Sequence, residues 1–241
     1  MGHYHNPQVI TNGMIDLIDI TNPRCFNGSS ATLNDLINGK VATGNSLSSI
    51  VPGVGISFGT NANTYVSLGS SFVESASTQY TRLCWFNLAD VTTPQPLIAS
   101  PSPRGAMWLN STTKLSMFHS GTRTGSVPIL SSLAGTTDLS PNVWYFGAVT
   151  FKSSIIAAVG ETGGRIYLNG ILDNSSTSLP SIGANAGAAR SHHLGSYLDP
   201  LFTPPSPTLN GTIAYAAVYD RVLSAEEILK IYNATKKRFG H

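Results

Sequence analysis

The sequence predicts an all-β chain: an antiparallel two-sheet β-sandwich of jelly-roll type, with one short C-terminal helix. Three observations carry that reading. Asn169-Gly170 stands between short runs of strand-forming residues, and this dipeptide best tolerates φ > 0 at both central positions of a type I′ hairpin turn. Further runs of β-branched and aromatic residues recur along the chain, bounded by Gly, Pro, Asn and Ser. A complete helix start occurs once, at Ser224, with Glu227 three residues on.

Residues 1–13 are polar and without period, and read as an N-terminal arm for attachment or oligomer contacts, ahead of a single sandwich domain over residues 14–241. Met14 to Ile20 alternates as the first strand. Residues 56–69 read as strand, turn, strand, and Arg82 to Leu88 as a strand through Trp85. Pro94, Pro96, Pro101 and Pro103 break the next stretch into loop. Residues 105–109 and 114–118 form a hairpin across Asn110 to Thr113. After a strand from Trp144 to Phe151, the Asn169-Gly170 turn pairs Leu168 with Ile171 and Ile166 with Asp173 on one face, with Tyr167 and Leu172 on the other. A Pro-rich loop over residues 201–207 and a strand over residues 209–220 lead to the helix. There Leu223 and Ile228 are placed as a hydrophobic staple, and Ile228, Leu229, Ile231 and Tyr232 share one face.

One domain suits 241 residues, since all-β sandwiches commonly reach this length undivided. Charged residues are only 11%, against about 25% in an average soluble domain, so the surface must be built from Ser, Thr, Asn and Gly. A net charge of +2 offers no electrostatic footprint for nucleic acid or an anionic membrane, and neither is an expected partner. The apolar runs are too short to span a bilayer. No basic or apolar leader opens the chain, so no export signal is expected, and Cys25 and Cys84, too few for a disulfide framework, are expected reduced.

Three stretches carry a family resemblance: the Trp144 strand, Tyr167-Leu168-Asn169-Gly170, and Leu194-Gly195 followed by the strand that ends in Tyr219-Asp220-Arg221-Val222-Leu223-Ser224-Ala225-Glu226-Glu227-Ile228. Together they resemble the C-terminal half of the laminin-G-like, concanavalin A-like lectin/glucanase family. The opening, through Asn22-Pro23-Arg24-Cys25-Phe26-Asn27-Gly28, is similar to a version of that family met in bacteriophage structural proteins, with Leu33 standing where that version has Trp. The family's two acidic positions in its Phe-Asp-Gly-x-Asn-Asp-Tyr-Val segment are Gly59 and Thr64 here. The resemblance implies the sandwich and allows calcium held in loops, where Asp90, Asp173 and Asp199 are the loop carboxylates. No other cofactor is expected.

Gly55-Ile56-Ser57-Phe58-Gly59 matches the hydrolase elbow in letters, but turn formers follow it instead of a helix, so Ser57 is expected to be a strand serine. Retaining glycosidases need two carboxylates about 5–5.5 Å apart. None of Glu74, Glu161, Glu226 and Glu227 has an acidic neighbour at two or four positions, as a pair on one strand would require. His192 and His193 are adjacent, so on a strand they point to opposite faces and cannot share one ion. No catalytic or metal residue is therefore assigned. For a glycan, an exposed aromatic face beside polar groups is needed, and the candidates are Trp108, Tyr197 and Asp199, with Tyr80 a further ring. Trp85 and Trp144 are expected in the core.

These readings lead to an expectation of a non-enzymatic virion structural protein, a capsid decoration or tail appendage subunit assembled in the host cytoplasm. It would contact a capsid or tail protein, form a homo-oligomer and adhere to host surface glycans. A stand-alone carbohydrate-binding lectin is the alternative, and a glycoside hydrolase the lesser one.

Overall fold

The computed structural model describes residues 9–26, 32–45, 49–51, 53–59, 64–72, 79–99, 105–124, 127–153, 163–177, 179, 190–196 and 208–241. In chain order the strands among them are β1 (Met14–Asp19), β2 (Thr32–Asn34), β3 (Val41–Asn45), β4 (Ser49–Val51), β5 (Gly55–Phe58), β6 (Tyr65–Phe72), β7 (Gln79–Leu88) and β8 (Gln95–Ala99). They continue as β9 (Ala106–Leu109), β10 (Lys114–Thr124), β11 (Val127–Asp138), β12 (Trp144–Lys152), β13 (Gly163–Leu168), β14 (Ile171–Ser176), β15 (Arg190–Leu194) and β16 (Gly211–Tyr219), before helix α1 (Ala225–Thr235) and a 3-10 turn at Lys236–Phe239. The first sheet runs β14-β13-β12-β7-β16-β5-β4, with β1 joined to β16, and the second runs β11-β10-β9-β8-β15-β6-β3-β2. The pairings are antiparallel, and the expected two-sheet sandwich with one C-terminal helix is the observed architecture.

Strand period builds the core. On β7, Tyr80, Cys84, Phe86 and Leu88 turn toward the second sheet, where they meet Met107, Leu109, Leu115 and Met117. The alternate residues Leu83 and Trp85 turn outward and are covered by α1 through Ile228 and Ile231. Trp85 is fully buried there, with its Nε1 donating to Thr235 Oγ1 at 2.7 Å and its ring stacked on Phe239 at 4.3 Å. The helix starts as the sequence predicts: Ser224 Oγ accepts from Glu227 N at 3.2 Å, and Glu227 Oε2 accepts from Ser224 N at 2.9 Å. Arg221 adds a two-pronged contact to the same carboxylate at 2.8 and 2.7 Å.

The Asn169-Gly170 turn has φ of 50° and 80°, and it pairs Leu168 with Ile171 and Tyr167 with Leu172. One step further the register departs from expectation, because Ile166 faces Asn174 and Asp173 is bulged out. The bulge has a physical reason. It aims the Asp173 carboxylate at β11, where it accepts from Thr136 N and Oγ1 at 2.9 and 2.8 Å and from Thr137 Oγ1 at 2.7 Å. One edge of the first sheet is thereby tied to one edge of the second.

The loop expected from Pro94 and Pro96 is corrected: Gln95–Ala99 is strand β8, and its residues are buried. Pro96 is tolerated because it pairs only with Trp108 of β9, beside a register shift, while β15 joins β8 at Ile98 and Ala99. Of the expected arm, residues 1–8 lie outside the described residues. Val9 and Ile10 pack against the outer cluster under α1, and Tyr219 Oη donates to Ile10 O at 2.8 Å. Both cysteines are buried free thiols.

Candidate functional site on the outer face of the second sheet

The outer face of the second sheet alternates small and aromatic residues. Because Met107 and Leu109 enter the core, Trp108 must point outward, and the same argument places Phe118 beside Met117, Tyr65 beside Val66 and His193 beside Leu194. The ladder sets them in rows. Ser67, His193, Ala99, Ala106 and Phe118 succeed one another across β6, β15, β8, β9 and β10. Pro96, Trp108 and Ser116 form the neighbouring row.

Two aromatic pairs flank the small residues. Trp108 meets Phe118 edge-on with ring centroids 6.0 Å apart, and Tyr65 meets His193 at 4.9 Å. Ala99, Ala106 and Ser116 between them are buried, while the rings of Tyr65, Trp108 and Phe118 are half-buried. The Trp108 Nε1 is buried and has no acceptor among the described residues. Burial pushes the His193 ring down to a pKa of about 4, so it is neutral at physiological pH.

Of the sequence-derived candidates, Trp108 sits on this face, while Tyr197 and Asp199 lie outside the described residues. Tyr80 does not belong to it: β7 directs its ring into the space between the sheets, where the Arg82 guanidinium lies 4.2 Å above it. Phe118, Tyr65 and His193 were missed, although Phe118 shares the parity of Ser116 against the apolar Leu115 and Met117. Ser57 lies on β5, paired with Ser49 and Thr212, as a strand serine.

A second polar group lies between the sheets. Arg82 from β7 and Asp16 from β1 are fully buried, and His192 from β15 is nearly so. His192 Nε2 lies 3.3 Å from Arg82 Nη2, and its Nδ1 lies 3.9 Å from Asp16 Oδ2. A guanidinium only donates, so Nε2 accepts and the neutral ring carries its proton on Nδ1, toward Asp16. Burial, then the nearby Arg82 and His193, hold the His192 ring well below the usual histidine range. Gly105, just before β9, presses on the same guanidinium, since a Cβ there would come within 2.6 Å of Arg82 Nη1. The two adjacent histidines thus face opposite ways, as the strand period required.

The loop carboxylates Asp90 and Asp173 are already engaged. Asp90 binds Thr92 N and Oγ1 and Thr93 Oγ1, and Asp173 binds Thr136 and Thr137, so neither offers a free donor set. Among the described residues no three His, Cys, Asp or Glu side chains are grouped to hold an ion.

The family model described as the concanavalin A-like lectin/glucanases superfamily matches residues 58–229. The chain belongs to this superfamily. No curated protein sequence matches it. Among solved structures, it is similar to a Trypanosoma rangeli sialidase in complex with 2,3-difluorosialic acid, at 12% identity and a TM-score of 0.66 over 97% of this chain and 35% of that one. A mutant of the same sialidase displaying trans-sialidase activity superposes at 13% identity and TM-score 0.65, over 97% of this chain and 34% of that one. The botulinum neurotoxin serotype D binding domain follows at 13% identity and TM-score 0.61, covering 94% of this chain and 53% of that chain. The chain therefore spans about a third of the length of the sialidases and about half of the toxin domain.

These likenesses speak to fold, and they correct one expectation. The chain was expected not to be an enzyme, on the ground that no two carboxylates are spaced for one strand. Sialidases contain this architecture, so that ground fails. Spacing along one strand reports only neighbours two or four positions apart, whereas reacting groups can be gathered from several strands and loops.

Proposed function

We propose that the chain is a glycan-recognition module of a virion structural protein, a capsid decoration or tail appendage subunit that adheres to surface glycans of the host cell. The observation that carries the recognition half is the Trp108–Phe118 pair, two half-buried rings meeting edge-on on the outer face of the second sheet. A pyranose presents an apolar C–H face that stacks on such rings. A neighbour solved with a bound sialic acid derivative supports a sugar as the ligand class. The particle half rests on the opening segment, Asn22-Pro23 to Gly28, and its likeness to the phage version of the superfamily. The partners are then a capsid or tail protein and further copies of the chain.

Titrating the protein against a panel of surface oligosaccharides, followed by tryptophan fluorescence, tests the recognition half. Trp108→Ala is expected to weaken binding about tenfold or more, equivalent to ~1.4 kcal/mol, with melting temperature little changed. Equal binding by the variant would move the site elsewhere. The particle half predicts a fixed stoichiometry in intact virions purified by density gradient. Absence from particles, combined with saturable sugar binding, would make the chain a stand-alone lectin.

A further inference from the structure

Each sheet contributes to the buried group formed by Asp16, Arg82 and His192, and the glycan-recognition reading makes no use of it. β15 pairs with β8 at His193 and Leu194, where Gly195 N adds a bond to Leu97 O at 3.0 Å, and with β6 from Arg190 to Leu194 through a register shift beside His193. His192 reaches from this strand across to the first sheet, where it accepts from Arg82 at 3.3 Å and turns Nδ1 toward Asp16. We propose that this bridge is an acid-release latch: it ties β15 to β7 and β1 at neutral pH, and a proton on His192 parts the sheets at β15.

The chemistry follows from the donors. Arg82 has no lone pair to offer, so an imidazolium at His192 would place N–H against N–H at 3.3 Å and a second positive charge beside the guanidinium. The charged and titratable groups that face the ring among the described residues are Arg82 on β7 and Asp16 on β1, with the Tyr80 ring stacked under Arg82. Asp16 attracts the proton but stands at 3.9 Å, and Arg82 is the closer. His193, on the opposite face of β15 against Tyr65, adds to the effect in the same direction.

The sign is fixed by linkage. Both rings are held below the value of 6.5 that they take when exposed, so the unfolded or opened chain binds protons that the closed sandwich refuses. Stability is therefore complete above about pH 6.5 and falls as the pH is lowered, with the His193 share lost by about pH 4.

Hydrogen exchange of the whole chain at pH 7.5 and pH 5, corrected for the intrinsic rate, tests the latch. Residues 190–196 and the facing parts of β6 and β8 are expected to lose at least tenfold in protection at the lower pH, while β12 and β13 keep theirs. His192→Gln retains an acceptor for Arg82 without a titrating ring; made beside His193→Gln, so that the second ring cannot supply the same pH dependence, it should abolish most of the loss that His193→Gln alone still shows. A double variant that opens at the same pH as His193→Gln overturns the proposal, and so does a loss spread evenly over both sheets. If the double variant does not fold, the histidine ring signals of the parent decide: a His192 that titrates near pH 6.5 in the closed sandwich is incompatible with the latch. Loss of sugar binding leaves this outcome unaffected, since Trp108 lies on the other side of the second sheet.

Discussion

Arg82→Met is expected to lower the unfolding free energy by about 3–5 kcal/mol, the range seen when one partner of a buried ionic group is removed. Methionine keeps most of the apolar stem and loses the guanidinium that lies 4.2 Å above the Tyr80 ring. What disappears is the donor to His192 Nε2 and the positive charge in a region that also buries the Asp16 carboxylate. Urea denaturation at pH 7.5 measures it, with Arg82→Lys as the control that keeps the charge but loses the planar fork. Lysine should recover part of the loss. If methionine melted within ~0.5 kcal/mol of the parent, the group would be contributing nothing to the fold. The triple change Asp16→Leu, Arg82→Met, His192→Phe should restore much of the stability, because no charge is then desolvated and no partner is left unpaired.

Trp85→Ala is expected to cost a similar amount, about 3–5 kcal/mol, by a different route. The indole is fully buried between the first sheet and the C-terminal segment, and it touches Phe146, Tyr232 and Phe239 with ring centroids at 5.6, 5.8 and 4.3 Å. Removing it opens a cavity and strips α1 of the surface it docks on, so limited proteolysis within residues 225–239 should accelerate along with the drop in denaturation midpoint. Trp85→Phe separates the two contributions. It preserves most of the ring contact and loses the bond to Thr235 Oγ1 at 2.7 Å, which is worth about 1 kcal/mol. A phenylalanine variant as unstable as the alanine one would mean that the hydrogen bond, and not the ring, holds the helix.

Local chemistry was sufficient wherever it acts within a few residues. The Asn169-Gly170 turn, the capping box at Ser224 and Glu227, the alternation of β1 and the strand runs of β7, β12 and β16 were all legible, because φ preference, N–H capping and strand propensity need no distant partner. Pattern likewise placed the chain in its superfamily. Even the buried polar group left a trace: Arg82 falls at the parity of Tyr80, Cys84 and Phe86, and Asp16 at that of Ile18 and Ile20, each a charge where an apolar residue is due.

What local pattern could not supply was the partner across the sandwich. Only the stacking of β15 over β7 and β1 brings His192 to Arg82 from a position 110 residues away. The Asp173 bulge arises in the same manner, since its cause is a pair of threonines on the facing edge, 36 and 37 residues distant. β8 was hidden because proline forbids an unbroken ladder, and it forms where neighbours demand bonds only on the permitted side. Tyr80 and Trp108 are both aromatic residues on strands, and nothing local tells them apart. One is buried between the sheets and the other is half-exposed because burial is a property of which sheet face meets another, and that is decided only when distant strands close over one core.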